Sequence, residues 1–273
     1  MSNLHLLTDD QIIDFVVNGY ILVETTKPPE FHKRIDDALN AMKTNPGDGI
    51  LDAVPALNEV YNDPNVRGAL VSLLGDDMQM NAHRHWHSIP PRTPSQGWHQ
   101  DGTNQRHHQV RVVLGMYYPH DVTKQMGPTM IVPGTHFRNA PTDRMATYAN
   151  IRGQVALTVK AGTVAITHYD LWHAGTVNTS DRSRHMLKFL FNRVSEPVRP
   201  SWNHDPDYMA GVLGRRFGAE RPTPMSQSDH YKLISLRHEM YKHLAGPEAP
   251  KREVLSLFSS KAGKTKAEVK TDY

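Results

Sequence analysis

The stretch Trp98-His99-Gln100-Asp101-Gly102 decides how this chain is read. It lies between two runs with a period of two, Met78–Ser88 and Val110–Tyr118. On an extended backbone residues i and i+2 share a face, so His99 and Asp101 point one way and Gln100 the other. Two imidazoles and a carboxylate can hold one face of six-coordinate Fe(II) and leave the opposite face open. The second imidazole is expected from His173, which follows Leu171-Trp172 beyond a strand that ends near Thr167. A neighbouring strand must bring it to His99.

Taken alone, His-x-Asp is a weak motif in a chain with seventeen histidines, and two solvated loop residues would look the same. Its neighbours add weight. Gly97 and Trp98 before it and Gly102 after it permit a tight backbone beside a site, and Trp172 can supply an apolar wall beside the second imidazole. Zinc would accept the same three atoms, but Fe(II) better explains a positioned arginine downstream. That arginine is Arg184, in Asn178-Thr179-Ser180-Asp181-Arg182-Ser183-Arg184. A guanidinium takes a carboxylate through two parallel hydrogen bonds, as the distal carboxylate of 2-oxoglutarate would require. Alternation puts Arg182 and Arg184 on one face, so either could fill the role. Arg182 is the expected surface partner of Asp181, though the two roles could be exchanged.

Around this stretch the chain reads as mainly β with helical additions. Thr8 caps a first helix, Asp9 and Asp10 suit its positive end, and Ile12, Ile13, Val16 and Val17 recur at helical spacing. Gly19 ends it before a short strand, Tyr20–Val23. Further helices are expected over Pro29–Lys43 and Asn65–Leu74. Strands are expected over Met78–Ser88, Val110–Tyr118, Thr129–Val132, Gln154–Val159, Thr163–Thr167 and His185–Arg193, punctuated by Gln96-Gly97, Gly127-Pro128, Pro133-Gly134 and Ala161-Gly162. Many short strands so divided suggest a sandwich or open barrel. A last helix is expected over Ser228–Leu244, to close a pocket or form a dimer face. We expect one domain: a helical region 1–77, a β core 78–194, a C-terminal helical addition 195–258 and a flexible Lys-rich tail 259–273 (Lys261, Lys264, Lys266, Lys270).

The composition narrows the chemistry further. With no cysteine, disulfides, thiolate metal sites and cysteine nucleophiles are excluded, so any metal takes nitrogen and oxygen ligands. A net charge of +3 gives no case for nucleic acid. No apolar run approaches the roughly 18 residues of a membrane span. The opening Met1-Ser2-Asn3-Leu4-His5 lacks signal-peptide features, and a cytoplasmic location is expected.

Four separated segments resemble the phytanoyl-CoA dioxygenase family of Fe(II)/2-oxoglutarate oxygenases. They are Leu7-Thr8 with Phe15 and Gly19-Tyr20-Ile21; Trp98 to Gly102; Gly127-Pro128-Thr129 with Val132-Pro133-Gly134-Thr135-His136; and His173 to Asn178 with Ser180, Arg182 and Arg184. The resemblance implies a double-stranded β-helix, a jelly-roll or cupin-like barrel. It implies His99, Asp101 and His173 as iron ligands and Arg184 as the 2-oxoglutarate anchor. It also puts Gln100 near the co-substrate, with Thr129 or Thr176 donating a hydroxyl to it. Two departures stand out: Gly175 replaces a frequent Ser, and Met116-Tyr117-Tyr118-Pro119-His120-Asp121 replaces a more usual Trp-rich, acidic stretch.

The reaction so implied couples decarboxylation of 2-oxoglutarate, giving succinate and CO₂, to hydroxylation of a substrate C–H by O₂. His83, Arg84, His85, His87 and Arg92 before the motif, and Arg106, His107, His108 and Arg111 after it, would favour a small anionic substrate. A histidine-rich outer sheet face would produce the same pattern. Trp86, Tyr117 and Tyr118 fit a pocket floor or the core, and His136 a turn. The competing readings are a cupin-like metal isomerase or dioxygenase without 2-oxoglutarate, and a non-catalytic ligand-binding barrel. Monomer and homodimer stay equally open.

Overall fold

The computed structural model describes residues 3–102, 108–140, 150–222 and 225–247. Its first helix, α1 (Asp9–Asn18), opens on a capping box: the Thr8 hydroxyl accepts from the Gln11 amide, and the Gln11 side chain accepts from the Thr8 N–H. Gly19 closes it with φ 79°, and a side chain there would strike the His136 ring. His136 is fully buried against this turn, which accounts for it without a metal.

The chain then runs through β1 (Tyr20–Glu24), α2 (Pro29–Ala41), two short helices α3 (Ile50–Ala53) and α4 (Leu57–Tyr61), and α5 (Pro64–Leu74). Neither short helix was expected, since four or five residues are too few to show a period. The strands are β2 (Gln79–Ile89), β3 (Val112–Tyr117), β4 (Thr129–Ile131), β5 (Val155–Ala156), β6 (Thr163–His168), β7 (His173–Gly175) and β8 (Arg184–Asn192). The expected strand Gln154–Val159 shrinks to two residues; beyond them the Leu157 N–H donates to the Thr129 carbonyl at the start of β4, and the Val159 carbonyl accepts from Val122 in an irregular segment.

Five strands form one antiparallel sheet in the order β1-β6-β3-β8-β2, and three form another in the order β5-β4-β7. Alternation sorts the larger sheet cleanly. Val113 and Tyr117 of β3, Val164 and Ile166 of β6, and Leu187, Phe189 and Phe191 of β8 pack into the cluster that holds α1, α2 and α5. Met116, Ala165 and Met186 face the other way and pack with Ile131 of the smaller sheet. Both faces are covered, so these strands read as nearly continuous apolar runs. Gly115 leaves room for Tyr61, whose hydroxyl reaches the carbonyls of Gly115 and Leu187.

The C-terminal region adds α6 (Pro206–Ala219) and α7 (Gln227–Ala245). The first was not expected, because Gly211, Gly214 and Gly218 disguise it. Asp205 caps it, Pro206 opens it, and Met209, Leu213 and Phe217 bury one stripe. The buried Asp9 carboxylate holds this region to α1, accepting from Trp202 Nε1 (2.6 Å), His204 Nδ1 (2.8 Å) and the Asp205 N–H (2.7 Å). No described helix is long and apolar enough to cross a membrane. Arg106, His107 and the Lys-rich tail lie outside the described residues.

Candidate active site

His99 and His173 meet through a two-residue bridge between otherwise separate segments. Each backbone N–H donates to the other's carbonyl, at 3.0 and 2.9 Å, and the rings lie 4.3 Å apart. Both imidazoles are oriented alike. Nδ1–H of His99 donates to the Gly97 carbonyl at 2.9 Å, and that of His173 to the Leu171 carbonyl at 3.0 Å. A proton on Nδ1 leaves the Nε2 lone pair to ligate a metal; in His99 it accepts from the Gln96 amide at 3.4 Å. His99 Nε2 stands 3.8 Å from Asp101 Oδ1, and His173 Nε2 stands 3.6 Å from Asp101 Oδ2. Ligand atoms of the three residues lie within 4.8 Å of one another, close enough for one ion.

The backbone after Asp101 is held close by Gly102, where a Cβ would fall 1.8 Å from Asp170 Oδ1. Burial pushes the His173 imidazole down to about 4, so it is the neutral form that faces the site at neutral pH. Burial alone would raise the Asp101 carboxyl. His173, Lys188 and His99 outweigh it and hold the group below its ordinary value. Asp101 is therefore ionised, and the donor set is two imidazole nitrogens and a carboxylate, which suits Fe(II).

The triad opens on a cavity of about 250 Å³. Arg184, Met186 and Lys188 of β8 line one wall, with His85, His87 and Ile89 of β2 beside them. The register is direct: His85 pairs with Lys188, His87 with Met186 and Ile89 with Arg184. Gln96, Thr129 and Thr176 complete the polar lining, with Gly175 and Met116. Arg184 is 2% exposed, and its Nη1 donates to Thr129 Oγ1 at 2.9 Å. Its Nε has no partner, and no described carboxylate pairs with it. The Thr129 oxygen already accepts from Arg184 and from the Tyr118 hydroxyl, which leaves its own proton to donate.

Several expected placements differ. Gln100 does not line the cavity; its amide donates to the Gly102 carbonyl and accepts from the Ala140 N–H. Trp172 walls no part of it, because its indole donates to the Arg138 carbonyl and its ring packs near Trp98 and Val132. Arg182 approaches Asp36 at 3.7 Å rather than Asp181, and the chain bends before β8 begins, so Arg182 and Arg184 part company. Of the described basic residues flanking the motif, only His85 and His87 reach the cavity. His83 and Arg84 turn to Asp48, Arg111 to Glu196, and Arg92 is exposed. Trp86 and Tyr117 belong to the core, and α7 does not close the cavity.

Lys188 was not anticipated. It is buried, and its Nζ donates to Asp101 Oδ2 at 2.8 Å. Counting in steps of two from Arg184 would have found it.

The family model for phytanoyl-CoA dioxygenase (PhyH) matches residues 48–186, just over half of the chain. No curated protein matches in sequence. Among solved structures, EctD from S. alaskensis, determined with 2-oxoglutarate and 5-hydroxyectoine, is 20% identical with a TM-score of 0.58, covering 74% of this chain and 82% of that one. SnoK, a non-heme alpha ketoglutarate dependent carbocyclase from nogalamycin biosynthesis, is 16% identical with a TM-score of 0.55, covering 81% and 94%. HygX from Streptomyces hygroscopicus with iron bound is 13% identical with a TM-score of 0.55, covering 69% and 87%. At these identities the likeness is one of fold.

Proposed function

The chain belongs to the phytanoyl-CoA dioxygenase family, and from that premise we propose that it is an Fe(II)- and 2-oxoglutarate-dependent dioxygenase that hydroxylates a C–H of a small anionic metabolite. The observation that carries this reading is one cavity holding both the His99–Asp101–His173 triad and a buried guanidinium without a carboxylate partner among the described residues. A buried, unpaired charge costs several kcal/mol, a cost that an incoming ligand anion offsets. The frame is a double-stranded β-helix, supported by the two antiparallel sheets and their shared apolar filling. The helices at both ends of the chain enter one cluster, which favours one oxygenase domain.

His99 and His173, each through Nε2, and Asp101 would hold the iron. When bound, iron and 2-oxoglutarate supply the oxidising chemistry: one oxygen atom of O₂ ends in succinate, the other in the substrate, and CO₂ leaves. Arg184 takes the distal carboxylate of 2-oxoglutarate through Nε and an Nη, and the Thr129 hydroxyl donates to the same group. Thr176, whose hydroxyl donates to the Pro128 carbonyl, shapes that end of the cavity. Gln100, engaged with backbone, has no part in it.

A cupin-like metal isomerase and a binding barrel leave Arg184 without a use. Hydroxylation is the simplest outcome, yet the neighbours include an epimerase and a carbocyclase, so the fold serves other oxidations. The test is an anaerobic titration of the Fe(II)-loaded protein with 2-oxoglutarate, followed by the visible charge-transfer band of the chelate. A band that is lost in His99→Ala and needs far more 2-oxoglutarate in Arg184→Ala supports the reading. Iron binding without a band moves the isomerase ahead, and no iron binding leaves the barrel.

A further inference from the structure

The co-substrate accounts for one end of the cavity. Arg184 and Lys188 lie on the same face of β8, both buried and both on the cavity wall. Four residues of strand separate them by roughly 13 Å between α-carbons. Arg184 meets Thr129, which pairs with Gly175, while Lys188 meets Asp101. Arg184 thus faces the Thr129 part of the cavity and Lys188 the Asp101 corner of the triad, so a co-substrate carboxylate held at Arg184 leaves Lys188 for another group.

Lys188 has three protons to donate and, among the described residues, a single partner, Asp101 Oδ2. When the Asp101 carboxylate also serves a metal, its charge is shared and the ammonium is incompletely neutralised. Across the register the neighbours are His85 and His87. Burial pushes His87 down to about 3, which makes it a neutral hydrogen-bonding group at neutral pH. Among the described residues its Nε2 has no hydrogen-bond partner. A charge with donors to spare and an imidazole with no partner among the described residues stand on the same cavity wall next to Asp101, where both can donate to an anionic group.

We propose that Lys188, assisted by His87, binds a compact anionic group of the substrate, a carboxylate or phosphonate, and so selects which C–H lies over the metal. The proposal rests on the oxygenase reading above, since that reading assigns Arg184 to the co-substrate. Lys188 is here a specificity-determining residue.

The experiment uses the Fe(II)·2-oxoglutarate protein under anaerobic conditions. Butyrate, propylphosphonate and the neutral control butyramide are titrated separately, and each affinity is read from the shift of the chelate band. Wild type should prefer the better of the two anions over butyramide by at least about tenfold, or ~1.4 kcal/mol. Lys188→Met should bring that ratio close to one, and Lys188→Arg should restore most of it. Because the ratio compares ligands on one variant, a general loosening of Asp101 does not move it. The inference is overturned if neither anion shifts the band at millimolar concentration, if butyramide binds as well as both anions, or if Lys188→Met keeps the preference. A Lys188→Met protein that loses 2-oxoglutarate instead would show that Lys188 serves the co-substrate. Absence of any band in wild type is a different result: it removes the oxygenase reading itself.

Discussion

Arg184 and Lys188 share a strand, a face and a cavity, yet they sit in opposite electrostatic settings. Arg184 is surrounded by neutral oxygens, and burial pulls its pKa below the ordinary value with no carboxylate among the described residues to restore it. Lys188 is matched at once by Asp101. A guanidinium left uncompensated in the interior is held wholly for a ligand, whereas an ammonium paired to a metal-binding carboxylate gives one donor to that carboxylate and keeps the others for a ligand. The difference shows why burial of a cation does not by itself identify its role, and why its partner does.

The most severe way to break this comparison is to remove the triad itself. His173→Ala should abolish Fe(II) binding at micromolar metal and take 2-oxoglutarate turnover to background, checked by metal analysis and succinate formation. Arg184→Met comes next. It should weaken 2-oxoglutarate about 30- to 150-fold, the equivalent of 2–3 kcal/mol for charge-assisted bonds. The metal-free variant should be no less stable than wild type, because an unpaired buried charge has gone. Equal loss of stability and affinity in urea titrations would mean that Arg184 is structural after all.

The opposite face of the same strand supplies a contrast. His185, between Arg184 and Met186, points into the core, where it accepts from Trp86 Nε1 and meets Asn40. Burial pushes its pKa down to about 4, against about 6.5 when unfolded. The unfolded chain takes a proton that the folded one refuses. This contribution is therefore complete above pH ~6.5 and is lost as pH falls towards 4, by roughly 2–3 kcal/mol. Urea unfolding of the metal-free protein at a series of pH values should show that decline, and His185→Gln should flatten part of it. The smallest effect is expected at Thr129→Val. Removing one neutral donor from the Arg184 end should weaken 2-oxoglutarate about fivefold, or ~1 kcal/mol, and leave any butyrate preference unchanged.

How far the sequence carried depended on whether a signal was local. The cap at Thr8, the stop at Gly19 and the strand beginning near Tyr20 are set by neighbours in the chain, and they fold as read. β7 is three residues long, and α6 hides its buried stripe among glycines, so neither gave a period strong enough to see. Trp172 and Gln100 lie beside the motif in sequence but turn away from it, because nearby backbone groups such as Arg138 and Gly102 claim their polar atoms. Lys188 looked like one more charged residue in a run of apolar ones.

The amino-acid sequence by itself determined the ligand chemistry: without cysteine, a metal must be met by imidazole and carboxylate, and the spacing of His99 and Asp101 makes them candidates together. It also determined the alternation that puts Arg184 and Lys188 on one face. Only the tertiary structure decided which cation is paired to a carboxylate and which meets none among the described residues. That depends on Asp101 arriving from a distant segment, held beside His173 by a two-residue bridge. Charge compensation acts over a few ångströms of space, and no distance along the chain reveals it.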